Sequence, residues 1–142
     1  YLFPKAKFLH TFRNKLDSII SIYQSMLPEL SWAHDINDIL EYINNYLNII
    51  NHFKIKYPNS IFDISLENLT KDTEKITKKI FEFCDLTWEA QILNFHQRKY
   101  LFSKTLSFNQ IRSKVVKYNF NKYKSYYSLL DRHKSNYKWL NI

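Results

Sequence analysis

The stretch FPKAKFLHTFRNKLDSIISIY, residues 3–23, decides the fold of this 142-residue chain. Residues 7–12 form a short, mostly apolar run of the kind that is typical of a buried strand. After a turn, apolar residues recur every three or four positions from 16 to 27. That spacing predicts an amphipathic helix, which Asn14 can cap and Pro28 can help to end.

The rest of the chain continues to mix helices and strands. A second helix of about 18 residues is predicted after Asp35, which is its predicted N-cap. A second strand is predicted over 61–66, and a third helix opens within 70–73. Further helical stretches are predicted over 92–96, 111–116 and 123–130. The order strand, helix, helix, strand, helix favours an α/β layer fold over a helical bundle.

Composition excludes several classes of protein. The single cysteine, Cys84, excludes a disulfide framework and a cysteine-rich zinc site. Glycine is absent, so these residues contain no glycine-rich phosphate loop. The five histidines match no metal-ligand spacing, and we predict no metal site. No membrane-spanning run or secretion signal is visible, which leaves the compartment open, with the cytoplasm as the expectation.

The net charge of +8 is unevenly distributed. Residues 97–142 carry eight lysines and three arginines against one acid, Asp131, for a net charge of +10, whereas residues 1–96 have a net charge of −2. A basic C-terminal third indicates an anionic partner, which could be a nucleic acid, a membrane surface or a phosphorylated small molecule.

The most specific chemical signal lies in the first strand and helix. Arg13 stands at the carboxyl end of the predicted strand, and Ser21 follows eight residues later, two turns into the predicted helix. Ligands of open α/β sheets bind at the carboxyl ends of strands. A guanidinium group there, with a hydroxyl and a helix N-terminus nearby, suits a phosphate group.

This segment resembles the 3′-phosphate-binding motif of sulfotransferases that use 3′-phosphoadenosine 5′-phosphosulfate (PAPS). Other blocks are similar to bacterial sulfotransferases that are related to tyrosylprotein sulfotransferases and are often fused to tetratricopeptide repeats. These blocks are LSWAHDINDI (30–39), FCDLTW (83–88) with Phe95-His96, TLSFNQIR (105–112), and Lys122-Tyr123 with Tyr126 and Leu130. The resemblance implies a helix-rich α/β chain, with a short parallel sheet and flanking helices, from the C-terminal part of a P-loop-like sulfotransferase fold.

The resemblance also implies roles for individual residues. Arg13 and Ser21 would hold the 3′-phosphate of the nucleotide. The members of the 105–112 block, Ser107, Gln110 and Arg112, would contact the nucleotide, and Ser107 would help to stabilise the transferring sulfuryl group. Lys122 would reach the phosphates near the 5′ end. His34, which lies in a block that resembles the family, is a candidate acid or base facing the acceptor.

This sequence departs from the family at several positions. Leu66-Glu67 stands where a Tyr-Glu pair is usual, and Lys15 replaces a common proline. The loop that binds the 5′-phosphosulfate lies upstream in the family and is not among these residues, nor is the usual catalytic base. We therefore expect residues 1–142 to be the C-terminal portion of a sulfotransferase domain. Alone, the chain should bind nucleotide weakly at best and transfer no sulfate.

The parent enzyme would move a sulfuryl group from PAPS to a hydroxyl acceptor: a peptide tyrosine, a carbohydrate or a small alcohol. Two other classes stay open. Residues 98–139 interleave basic and aromatic side chains, a composition that suits a nucleic-acid-binding module. A purely structural or inactive fragment is the third class, and the sequence does not indicate the oligomeric state.

Overall fold

The computed structural model describes residues 5–98 and 112–141. It divides into two compact units, each described by itself below. One contains Tyr1–Phe12 and Phe62–Tyr118, and the other contains Arg13–Ile61 and Asn119–Ile142. We refer to these as the sheet unit and the helical unit.

The sheet unit is built on two short neighbouring strands. Strand β1 spans Phe8–Phe12 and β2 spans Ile61–Ser65, and they form a two-stranded parallel sheet. Helices α3 (Leu66–Lys71) and α4 (Thr73–Phe83) follow β2, and a 3₁₀ segment covers Ala90–Gln97. The predicted α/β class, rich in helix and with a short parallel sheet, is confirmed.

The prediction that residues 7–12 form a buried strand is half right. The segment is extended, but Phe8, Leu9 and Phe12 are exposed, Phe8 by 60%. Among the described residues, β2 is the one strand paired with β1, and a sheet of two strands does not cover both faces of β1. A side-chain contact also joins the two strands, since Nδ1 of His10 lies 2.6 Å from Oδ1 of Asp63.

The helical unit holds the main apolar core. Helix α1 spans Lys15–Gln24 and α2 spans Ile36–Lys56, and both pack around buried isoleucine and leucine side chains. Three 3₁₀ segments, at Ser31–His34, Lys124–His133 and Lys138–Leu140, complete the unit. The core is formed by Leu16, Ile19, Ile20, Ile39, Leu40, Ile43, Tyr123, Leu130 and Leu140.

Both predicted helix caps in this unit are confirmed. Oδ1 of Asn14 accepts hydrogen bonds from the backbone N–H groups of Leu16 and Asp17, at 2.9 and 3.2 Å. The side chain of Asp35 accepts from the first turn of α2 in the same way and, with a coulombic contribution from His133, these hydrogen bonds lower the pKa of Asp35. Side-chain caps satisfy N–H groups that the first turn of a helix leaves without intrahelical partners.

Other boundaries differ from the sequence prediction. Helix α1 ends at Gln24, four residues before Pro28, and Met26 has a positive φ of 46° that takes the chain out of the helix. The helix predicted to open within 70–73 is α4, which begins at Thr73 after its cap Asp72. The sequence prediction misses the short helix α3, Leu66–Lys71, which precedes it. The helical prediction is wrong at Val115 and Val116, which have no regular structure.

None of the helices among residues 5–98 and 112–141 combines the length and the apolar composition that a membrane-spanning segment requires.

Candidate functional site

The side chain of Arg13 lies against the first turn of α1. Its Nε donates a hydrogen bond to Oγ of Ser18 at 3.2 Å. Ser18 in turn donates from Oγ to the carbonyl oxygen of Asn14 at 3.0 Å. Because Asn14 caps the helix, these bonds tie the guanidinium group to the point at which α1 begins, immediately after β1.

A buried tyrosine brings Ser21 and Lys122 together. The Tyr123 side chain is only 7% exposed. Its hydroxyl lies near enough to Lys122 and Ser21 for both side chains to lower its pKa. Nζ of Lys122 also lies 4.8 Å from the centre of the Tyr123 ring, within the range of a cation–π contact.

The pKa of Tyr123 reflects the charge of this cluster. Interaction of the hydroxyl with the side chain of Lys122, and then with that of Ser21, lowers the pKa of Tyr123 below its ordinary value, and the positive charges of Lys122 and Arg13 act in the same direction. Burial acts in the opposite direction but does not prevail. A phenol whose anionic form is favoured in spite of burial marks a position of positive potential. We call Arg13, Ser18, Ser21, Lys122 and Tyr123 the Tyr123 cluster.

A hydrogen bond between Tyr127 and Asp17 connects the segments that carry this cluster. The Asp17 side chain is 1% exposed, and its Oδ1 accepts a hydrogen bond from Oη of Tyr127 at 2.6 Å. Burial and the carboxylate of Asp17 together raise the pKa of Tyr127 to about 12. Asp17 lies on α1 between Arg13 and Ser21, and Tyr127 lies one turn beyond Tyr123. The bond therefore joins the two segments that carry the cluster.

The other predicted site residues are His34, Ser107, Gln110 and Arg112. His34 is exposed at the end of the Ser31–His34 segment, and the contacts of the Tyr123 cluster given above do not include it. Arg112 is exposed and belongs to the sheet unit, whereas the cluster belongs to the helical unit. Ser107 and Gln110 lie outside the described residues. The binding and catalytic roles of these residues stay predictions.

The sequence predicts no role for two members of the cluster. The resemblance includes Tyr123 only as the aromatic neighbour of Lys122, and it implies no role for Ser18. The sequence does contain a signal for Ser18, because it lies one turn before Ser21 on the same side of α1. No local signal places Tyr123 beside Ser21, since the two residues are about 100 positions apart and meet only through packing.

The described residues contain no group of three or more histidine, cysteine, aspartate or glutamate side chains that could hold a metal ion. What the Tyr123 cluster offers is a guanidinium group, an ammonium group and hydroxyls. These groups donate hydrogen bonds to anions, and arginine does so with a planar fork that fits a phosphate group. The chemistry of the cluster is therefore that of an anion-binding site.

Comparison with known proteins identifies the family. The model of the sulfotransferase family matches residues 1–90, which include both strands, α1 to α4, Arg13 and Ser21. An uncharacterized protein of Aquifex aeolicus (strain VF5) is 30% identical over 129 residues, which cover 88% of this chain. The chain spans only 17% of the length of that relative. Because the family model matches well over half of the residues of this chain, the chain belongs to the sulfotransferase family.

Proposed function

We propose that this chain binds the nucleotide of PAPS and forms the C-terminal portion of a domain that transfers a sulfuryl group to a hydroxyl acceptor. Arg13 and Ser21 hold the 3′-phosphate. The observation that carries this proposal is the position of two cations in the helical unit: Ser18 holds Arg13 at the start of α1, and Lys122 lies against the ring of the buried Tyr123. The lowered pKa of Tyr123 agrees with this arrangement. Membership of the sulfotransferase family supports the same proposal.

The donor set of the cluster fits a phosphate group better than an uncharged ligand. Arg13 reaches Ser18 only through Nε, and the other guanidinium nitrogens of an arginine provide further donors. Ser21 lies near enough to Tyr123 for a hydrogen bond, so that both hydroxyls can turn toward a bound oxygen. Bound PAPS would supply the activated sulfuryl group and the bisphosphate leaving group.

Lys122 serves the other end of the nucleotide in this proposal. Its ammonium group and the donors of Ser107, Gln110 and Arg112 would face the negative charge that develops on the leaving 5′-phosphate. Fixed cations and donors at such a position lower the barrier because their charge is already oriented. Tyr123 lies beside both Ser21 and Lys122, so its ring would separate the groups assigned to the two phosphates.

The acceptor is a hydroxyl-bearing molecule: a peptide tyrosine, a carbohydrate or a small alcohol. His34 is the candidate to take the acceptor proton, because a neutral imidazole nitrogen can accept a proton and this side chain is exposed. The relative from Aquifex aeolicus is much longer than this chain. A longer protein would supply the 5′-phosphosulfate loop and complete the acceptor site, and the 142-residue chain alone would transfer no sulfate.

The test pairs a change in the protein with a change in the ligand. Affinities for adenosine 3′,5′-bisphosphate and for adenosine 5′-monophosphate are measured by calorimetry on the native chain, on Arg13→Ala and on the control Arg98→Ala. Loss of a charge-assisted hydrogen bond of about 1.5–3 kcal/mol should weaken bisphosphate binding by Arg13→Ala about 10- to 150-fold. Arg13→Ala should change monophosphate binding little, because that ligand lacks the 3′-phosphate.

The control removes one positive charge from an exposed position outside the cluster. Comparison with this control distinguishes the loss of a specific contact from the loss of one positive charge. Equal losses in Arg13→Ala and Arg98→Ala, or an Arg13→Ala effect that is the same for both ligands, would remove Arg13 from the 3′-phosphate site.

Binding to oligonucleotides over a range of salt concentrations tests the alternative of a nucleic-acid-binding module. Such a module would bind many oligonucleotides, and its log affinity would fall linearly and steeply with log salt concentration. Selective stabilisation by the bisphosphate supports the sulfotransferase proposal. Strong, salt-sensitive binding to oligonucleotides without a preference for the bisphosphate contradicts it.

A further inference from the structure

The hydroxyl of Ser18 makes two hydrogen bonds with opposite roles. Its Oγ accepts from Nε of Arg13 at 3.2 Å and donates to the carbonyl oxygen of Asn14 at 3.0 Å. A serine hydroxyl has one hydrogen to donate and two lone pairs that accept. Because that hydrogen is directed at the Asn14 carbonyl, the Ser18 oxygen can only accept on the side that faces Arg13. In this arrangement Ser18 acts on Arg13 and does not itself donate to an anion.

The bond to Asn14 fixes the position of the Ser18 oxygen. The Asn14 carbonyl lies four residues earlier in the chain and also accepts from the backbone N–H of Ser18, at 3.0 Å. A hydroxyl that bonds to the carbonyl of residue i−4 is held over the preceding turn of its helix. Asn14 is itself held in place as the cap of α1. The acceptor that Arg13 meets is therefore attached to the ordered start of the helix.

The bond to Ser18 determines which donors Arg13 can offer to a phosphate. A guanidinium group has one N–H at Nε and four more on its two terminal nitrogens. Two neighbouring donors can grip two oxygens of a phosphate, either from the side, through Nε and one terminal nitrogen, or from the end, through both terminal nitrogens. Ser18 engages Nε. The pair at the end of the guanidinium group is then the one left for a phosphate.

The location of Ser18 also brings Arg13 to the correct side of α1. Ser18 and Ser21 are three residues apart, which is about 60° short of a full turn and about 4.5 Å along the helix axis. A guanidinium group held at Ser18 therefore lies on the side of α1 that carries Ser21, although Arg13 itself precedes the helix. The effect of the Arg13 charge on the pKa of Tyr123, which Ser21 also lowers, agrees with this placement.

We propose that Ser18 is a positioning residue for the 3′-phosphate: it holds Nε of Arg13, so that the two terminal nitrogens of the guanidinium group face the phosphate beside the Ser21 hydroxyl. This inference rests on the proposed function, in which Arg13 and Ser21 bind that phosphate. A mobile arginine loses rotamer freedom when it binds a ligand. Ser18 restricts Arg13 before the nucleotide arrives, so that less freedom is lost on binding.

Two variants of nearly equal shape test the hydroxyl. Ser18→Thr keeps a hydroxyl, which threonine in a helix can direct to the carbonyl of residue i−4, and Ser18→Val replaces it by a methyl group. Calorimetry measures the affinity of each variant for adenosine 3′,5′-bisphosphate and for adenosine 5′-monophosphate. Ser18→Val should weaken bisphosphate binding about three- to tenfold and change monophosphate binding less than about twofold. Ser18→Thr should bind the bisphosphate within about twofold of the native chain.

A second measurement follows Arg13 itself and requires no nucleotide. The Nε–H group of an arginine gives its own nitrogen–proton NMR signal, and the signal that disappears in Arg13→Ala belongs to Arg13. The order parameter of this group should be high in the native chain and in Ser18→Thr. In Ser18→Val it should fall below about 0.6, the range of a flexible group, as we expect for the exposed Arg98.

A double-mutant cycle distinguishes failure of this inference from failure of the proposed function. In the Arg13→Ala background, Ser18→Val should cause no further loss of bisphosphate affinity, because no guanidinium group is left to position. If Arg13→Ala leaves bisphosphate binding unchanged, the proposed 3′-phosphate site is wrong. If Arg13→Ala weakens bisphosphate binding and Ser18→Val does not, the 3′-phosphate site stands and the positioning role of Ser18 is refuted.

Other results would also overturn the positioning role. Equal losses for the two nucleotides, or equal losses in Ser18→Val and Ser18→Thr, indicate an effect on the helix rather than on Arg13. Tighter bisphosphate binding by Ser18→Val indicates that Ser18 holds Arg13 away from the ligand. Circular dichroism checks that each variant keeps its helices. If Ser18→Val does not, Ser18→Ala replaces it, because alanine also lacks the hydroxyl and favours a helix.

Discussion

Removal of one hydroxyl, in Tyr127→Phe, should destabilise the helical unit. Oη of Tyr127 donates to Oδ1 of Asp17 at 2.6 Å, and the carboxylate is 1% exposed. A hydrogen bond to a charged group contributes about 1.5–3 kcal/mol to stability, and this range gives the expected loss.

The expected shift in melting temperature follows from the length of the chain. An unfolding entropy of about 2.1 cal/mol/K per residue gives roughly 0.3 kcal/mol/K for 142 residues. A loss of about 1.5–3 kcal/mol therefore lowers the melting temperature by about 5 to 10 °C. Urea denaturation followed by circular dichroism measures the free energy of unfolding, and calorimetry measures the melting temperature.

The neighbouring residue supplies the control. Tyr126 is exposed, so Tyr126→Phe removes a hydroxyl from the same segment and should change stability by less than about 0.5 kcal/mol. Tyr127→Phe should also weaken adenosine 3′,5′-bisphosphate binding, because the lost bond joins α1 to the segment that carries Tyr123. If the two phenylalanine variants are equally stable, the hydrogen bond to Asp17 contributes nothing measurable and the reasoning fails.

Three further outcomes are expected. Because the folded-state pKa of Tyr127 is raised to about 12, its contribution to stability is complete below about pH 10 and is lost as the pH rises through 12. The corresponding loss in an alkaline denaturation series should be absent from Tyr127→Phe. Tyrosinate absorbance near 295 nm should show one group that titrates below the ordinary tyrosine range in the native chain and is missing from Tyr123→Phe, and bisphosphate should raise its pKa. Asn14→Ala should cost about 0.5–2 kcal/mol of unfolding free energy in urea, whereas Asn14→Asp should retain the cap.

Local signals explain which structural predictions succeed. A cap needs only a short polar side chain next to an amphipathic repeat, so the capping roles of Asn14 and Asp35 can be predicted from the sequence. Strand β1 can also be predicted from its own residues, but its exposure cannot, because exposure depends on how many strands lie beside it. Val115 and Val116 fit a short helical repeat, yet no continuous run of helix-forming residues surrounds them.

In the candidate site, too, local features can be predicted from the sequence and contacts between distant segments cannot. The spacing of Arg13 and Ser21 is local, because a strand followed by a helix fixes the distance between them. The approach of Tyr123 and Tyr127 to α1 depends on packing between segments about 100 residues apart in the chain. A sequence-based argument can therefore name the cationic residues of an anion site, but it misses the buried hydroxyl that joins them.

Helix α1 itself contributes less to anion binding than its position after β1 suggests. Oδ1 of Asn14 already accepts from the N–H groups of Leu16 and Asp17, so two donors of the first turn are occupied. The carboxylate of Asp17, in the same turn, further reduces the attraction of the helix end for a negative ligand. An anion at this end of α1 must therefore be held mainly by side chains. Affinity should consequently depend on Arg13, Ser21 and Lys122, and it should fall with ionic strength as contacts to partly exposed charges do.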